Sequence, residues 1–192
     1  RTSFVRRSAG SAGAPLLRWP THERTLRVPS LRPPHPREAP LTPRIWALAV
    51  AILAGSVYVT ALGNGFARDD IPIVEQRDLV RRGAVTEALS ASWWAEDSET
   101  GGALYRPATL ALLAAEWAAF DGRPAGFHAV SVLLHVAASL AVLVLLRGFL
   151  PLVGAGVGAA VFAVHPVHVE AVANVVGQAE LLATLLAALA AV

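Results

Sequence analysis

Two stretches of this chain, Ile45 to Leu62 and Phe127 to Leu146, carry no charged residue. An 18-residue helix rising about 1.5 Å per residue spans roughly 27 Å, enough for a thin bilayer core. Lipid offers backbone N–H and C=O groups no partners, so such runs satisfy themselves as helices. Arg44 closes the first run and Arg147 the second. A third apolar run covers Leu150 to Val164, and a fourth opens at Ala179 and continues to Val192. The expected fold is therefore all-α, a multi-pass transmembrane helical bundle with spans near 45–62, 127–146, 150–164 and 179–192. Gly154, Gly156 and Gly158 in the third run offer a small-xxx-small face for close packing against a neighbouring helix. Composition agrees: 16% of the 192 residues are charged, against about 25% in soluble domains.

The remaining charge is distributed unevenly. Residues 1–44 hold nine arginines and two glutamates, whereas 63–125 hold six arginines and ten acids. A basic arm before a first span is what the positive-inside rule predicts, so the N-terminus is expected in the cytoplasm, at the cytoplasmic membrane if the source is bacterial. The basic excess is local and argues against nucleic acid as a partner. Six prolines between Pro29 and Pro43 deny that stretch a regular helix, so 1–43 reads as a disordered arm and 44–192 as the membrane domain. There is no cysteine, which excludes disulfides and thiolate metal sites. There is also no methionine, and Leu185 to Val192 is still apolar. Both ends read as cut, and three complete spans are too few for a finished site, so these residues alone are expected to be inactive.

Residues 63–125 form a long acidic loop, a length that usually signals a role. Within it, Pro107 opens an alanine-rich stretch to Phe120 that reads as an interfacial helix with proline at its first position. Trp93 and Trp94 suit the headgroup level, with stacking on a sugar as the sharper alternative. Counting spans returns His165-Pro166-Val167-His168-Val169-Glu170 to the side of this loop.

Those two regions supply the candidate chemistry. Asp69 and Asp70 are adjacent carboxylates, a pairing that suits one of them to serve as a general base; a solvated loop start or a helix cap explains them too. His165 and His168 share a face if helical, and Glu170, Asn174 and Gln178 make one polar stripe if the helix is unbroken, although Gly177 is placed to break it. The H-x-x-H spacing differs from the H-E-x-x-H of metalloproteases, and no metal site is assigned. Arg106 suits bidentate pairing with a phosphate. His128 and His135, seven apart on one face, read as packing or hydrogen-bonding residues. Glu180 fits either a buried, partnered position or the interface.

Taken together, Asn64-Gly65-Phe66-Ala67-Arg68-Asp69-Asp70, Tyr105-Arg106-Pro107, Gly126-Phe127-His128 with Leu133-Leu134-His135, and the run from Phe162 through His165-Pro166-Val167-His168-Val169-Glu170 to Val172 are informative. In order and spacing over about residues 45–192 they resemble the membrane half of the transmembrane-and-TPR-repeat-containing proteins. These are O-mannosyltransferase-like members of the GT-C glycosyltransferases. The chain departs from that pattern at Arg68, where an aromatic is common, and at Gly177-Gln178-Ala179, where Gly-Arg-Ala is common.

The resemblance implies a GT-C-like bundle with a large first extracytoplasmic loop and TPR repeats beyond the membrane region. It implies a sugar, mannose above all, carried on a polyprenyl phosphate donor in the membrane lipid, with no separate cofactor. The acceptor would be a hydroxyl, that of a protein Ser or Thr, on the extracytoplasmic side. Asp69 or Asp70 would be the catalytic carboxylate, and His165, His168 and Glu170 would line the same site with Arg106. One base and one displacement would invert the anomeric centre, with cationic side chains rather than a required metal neutralising the leaving phosphate. Alternatives are a transferase acting on a lipid or cell-wall glycan, a non-catalytic TPR-linked membrane scaffold, and a proton-coupled transporter. The last is disfavoured because spans one to three carry no mid-span acid.

Overall fold

A computed structural model describes residues 42–94 and 104–192. The expected basic arm lies outside the described residues. Helix α1 (Pro43–Val57) starts with proline at its first position and runs into a 3-10 turn at Val59–Gly63. A π-turn (Ile71–Glu75), two one-turn helices, α2 (Asp78–Arg81) and α3 (Val85–Ala88), and then α4 (Pro107–Phe120) follow. Helix α5 (Pro124–Arg147) is the longest, and α6 (Leu152–Val164), α7 (Val169–Ala173) and α8 (Gln178–Ala190) complete the order. Among the described residues there is no strand.

Pro43–Gly63, 21 residues, and Pro124–Arg147, 24 residues, are long and apolar enough to cross a membrane. At about 1.5 Å per residue α5 reaches roughly 36 Å, more than the ~30 Å of a hydrocarbon core. The third expected span is present as α6, whose 13 residues fall short of span length. Leu152–Val164 and Pro166–Ala173 reach span length only as a pair bent by 44°. Pro166 causes the break, since it has no N–H for the carbonyl four residues earlier. The Ala163 carbonyl, orphaned at the same helix end, accepts the His135 Nε2–H at 2.9 Å from α5. The buried histidine thus satisfies the break. The fourth expected span is present as α8, whose 13 residues fall short of span length.

Helix α5 is the axis against which α1, α6 and α8 pack. Val50, Ala54, Leu143, Ala155, Ala159 and Ala163 form one apolar core among them. The small face of α6 is used as its sequence suggests: a Cβ on Gly156 would stand 2.3 Å from the Trp46 ring, so glycine admits that indole between α1 and α6. A second core caps one end of the bundle. Ile73, Val74, Val80, Trp93, Leu110, Leu113, Phe127 and Val175 meet there. This cap is built from the long acidic segment, so that segment is partly helical and packed. Helix α4 has the expected bounds, but it buries a face against α2 and α3 rather than lying free. Trp93 is buried in the cap, which removes it from the exposed headgroup anchors.

Candidate functional site

The chain leaves α1 through Asn64 to Ala67 and turns sharply at Arg68, whose φ of 52° lies in the left-handed region. That conformation costs a non-glycine residue about 1–2 kcal/mol, and the two carboxylates that follow it meet different surroundings. Asp69 is exposed and lines a cavity; Asp70 is fully buried behind it. One Asp70 oxygen accepts the Val176 N–H at 2.8 Å and the other the Ala67 N–H at 3.3 Å. Asp70 therefore clamps the end of α1 to the start of α8, 106 residues further on.

The cavity is about 550 Å³, within the roughly 300–1,000 Å³ usual for ligand sites. Asp69 and Arg68 contribute from the first loop, Trp93, Trp94 and Arg106 from the cap, and Glu170, Asn174 and Glu180 from the far segment. Arg106 pairs with Glu180 at 3.4 Å and stacks over the Trp93 ring at 5.1 Å. Glu180 is thus partnered but exposed, so the buried, partnered position is not the one it takes. Arg77 fixes the tryptophan wall from behind, donating to the Ser92 carbonyl at 2.6 Å and to the Trp93 carbonyl. Burial pushes the Arg77 guanidinium below its usual range. The result is a partly exposed wall of indole, three carboxylates and two guanidinium groups. Such a wall can stack on a sugar ring, orient hydroxyls and hold an anion.

Of the residues singled out from the sequence, the structure brings Asp69, Arg106 and Glu170 together around this cavity. His165 and His168 do not line it. The backbone is extended at His165, whose Nδ1 accepts the Val167 N–H at 3.2 Å, while Tyr58 donates to its carbonyl at 3.0 Å. The His168 ring lies 4.3 Å from that of Phe162 and 5.3 Å from that of His135, inside the bundle. The polar stripe is interrupted as well. Asn174 is extended (ψ 137°), so Glu170 and Asn174 reach the cavity while Gln178 turns into the interior. Arg77 and the Asp70 clamp escaped sequence reasoning because their partners are backbone groups, which leave no signal in residue identity. Among the described residues no three metal-ligating side chains converge.

Curated relatives bear the same stamp. Protein O-mannosyl-transferase TMTC3 of Mus musculus is 31% identical over 140 residues, 71% of this chain and 15% of its own. Protein O-mannosyl-transferase Tmtc1 of Drosophila melanogaster is 35% identical over 139 residues, 67% of this chain and 16% of its own. Protein O-mannosyl-transferase TMTC4 of Mus musculus is 32% identical over 177 residues, 82% of this chain and 22% of its own. The chain belongs to the transmembrane-and-TPR-repeat-containing family. It spans about a sixth to a fifth of the length of these relatives. No family model and no solved structure matches it. In family terms, the cavity is built from the stretches that carry the resemblance: the Asp69-Asp70 loop, the Tyr105-Arg106-Pro107 turn and the segment after Pro166.

Proposed function

We propose that this chain supplies the acceptor-activating corner of a GT-C-type membrane mannosyltransferase. The donor is a mannosyl polyprenyl phosphate, and the acceptor is a protein Ser or Thr hydroxyl on the extracytoplasmic side. The observation that carries the reading is the convergence of Asp69, Arg106 and Glu170 on one cavity walled by Trp93 and Trp94. The names of the relatives support the reaction class.

In this reading Asp69 is the base. It faces the cavity, whereas both Asp70 oxygens already accept backbone N–H groups. The Asp69 carboxylate takes the hydroxyl proton as the acceptor oxygen bonds to the anomeric carbon, and the bond to the phosphate oxygen breaks with inversion. Arg106 exchanges its exposed contact with Glu180 for the phosphate, whose charge grows as it leaves. Glu170 and Asn174 orient sugar hydroxyls. His165 and His168, held by Val167 and Phe162, shape the segment that presents Glu170.

The test is mannosyl transfer from a labelled mannosyl polyprenyl phosphate to a Ser/Thr peptide by the full-length parent. Asp69→Asn should lower kcat by about 10²–10⁴-fold, the usual worth of a general base. Full transfer by that variant removes Asp69 from the mechanism. Label appearing in a glycan or lipid instead of the peptide would assign the other acceptor class.

A further inference from the structure

Beneath the cavity lies a second polar cluster that the proposed reaction does not use. Glu116 on α4 is 3% exposed and Gln178, the first residue of α8, is 0% exposed. Gln178 Nε2 stands 3.1 Å from Glu116 Oε2, 3.2 Å from the Phe127 carbonyl and 3.3 Å from Ser131 Oγ. The Ser131 hydroxyl donates to the Phe127 carbonyl at 3.2 Å. Every hydrogen of the cluster is thereby committed. Glu116 Oε1 and Gln178 Oε1, both buried, have no donor.

No cation answers the carboxylate among the described residues. On α2, Arg81 lies over the Trp117 ring at 6.0 Å. On α3, Glu87 pairs with Arg82, and on α8, Glu180 pairs with Arg106. On α5, neither ring nitrogen of buried His128 makes a hydrogen bond. An unpaired buried carboxylate is costly enough that such groups take up a proton instead. A single proton on Glu116 supplies the missing donor. The Phe127 carbonyl fixes the setting of the Gln178 amide, since only its nitrogen can donate there. Exchanging its oxygen and nitrogen would set the amide oxygen 3.2 Å from the Phe127 carbonyl oxygen with no hydrogen between them.

We infer that Glu116 is held as a neutral acid in a reciprocal acid–amide clasp with Gln178, and that this clasp positions the inner wall of the cavity. Gln178 is joined through Gly177 to Val176, whose N–H holds Asp70. Gly177 leaves no slack, since a Cβ there would stand 2.4 Å from the Ala171 carbonyl oxygen. Displacing Gln178 therefore shifts the Val176 donor, the Asp70 clamp and Glu180 together. Burial, opposed by the Gln178 hydrogen bond, raises the Glu116 carboxyl to about 8.

The test uses the full-length parent in lipid at neutral pH and needs no transferase activity, so it stands or falls apart from the proposed reaction. Infrared difference spectra between wild type and Glu116→Gln should show one protonated-carboxyl carbonyl band, present in wild type and absent from the variant. Hydrogen exchange of residues 174–180 should stay slow in Glu116→Gln, which can still pair with an amide. In Glu116→Ala it should speed up by about tenfold, the loss of roughly one hydrogen bond. A wild type without the band, or a Glu116→Ala protein with unchanged exchange at 174–180, overturns the inference. If Glu116→Ala does not fold, the wild-type band and its loss in Glu116→Gln decide.

Discussion

Two adjacent carboxylates with the same chemistry end in different roles because they meet different surroundings. Asp69 faces the cavity and Asp70 the backbone of Ala67 and Val176. Removing the buried one should act on stability. Asp70→Ala strips a partner from the Val176 N–H, and an unsatisfied buried donor costs about 1–3 kcal/mol. Thermal unfolding of the parent in detergent should show a lowered midpoint for Asp70→Ala and an unchanged one for Asp69→Asn. The Asp69-Asp70 pair is legible in the sequence as candidate chemistry, but the division of labour is not. It depends on a hydrogen bond across 106 residues, which residue type does not reveal.

At the scale of elements, boundaries set by local chemistry are legible and those set by tertiary contacts are not. Pro107 opens α4 as its place before the alanine-rich stretch predicts, and left-handed Asp121 and Gly122 close it. The extended kink at Asn174 is different. Val169 to Val176 reads locally as helix, and the chain departs from it where the Val176 N–H turns to Asp70. The joint between α4 and α8 also carries a pH dependence. Glu116 titrates at about 8 in the fold against an ordinary 4.5, so the folded state binds the proton more tightly. Its stabilisation is complete below pH ~4.5 and is lost as pH rises through about 8. Unfolding midpoints should fall across that window in wild type, and Glu116→Gln should flatten the fall.

For the whole molecule, α5 sets the geometry. With α1 and α5 as spans, the Gly63–Gly65 end of one and the Gly148 end of the other lie on opposite membrane faces. The chain has no cysteine, so single introduced thiols report cleanly. Gly65→Cys, at an open exposed position, should react with an impermeant reagent from the extracytoplasmic side, and Gly148→Cys should be protected from it. Reaction of both from one side would mean that α1 or α5 does not cross. The same arrangement explains why residues from the start, middle and end of this chain meet. Two long apolar helices and one bent pair return the Pro166 segment to the end of the bundle where the Asp69 loop lies.

The central claim is that this end of the bundle receives a phosphate-bearing donor through Arg106. The direct measurement is equilibrium binding of a mannosyl polyprenyl phosphate to the full-length parent, comparing Arg106→Ala with Arg147→Ala at the opposite end of α5. A charge-assisted contact worth about 1.5–3 kcal/mol predicts roughly 10–100-fold weaker binding for Arg106→Ala. Arg147→Ala should bind as wild type does. Equal affinity for wild type and Arg106→Ala, with both folded, would contradict the account and place the donor elsewhere.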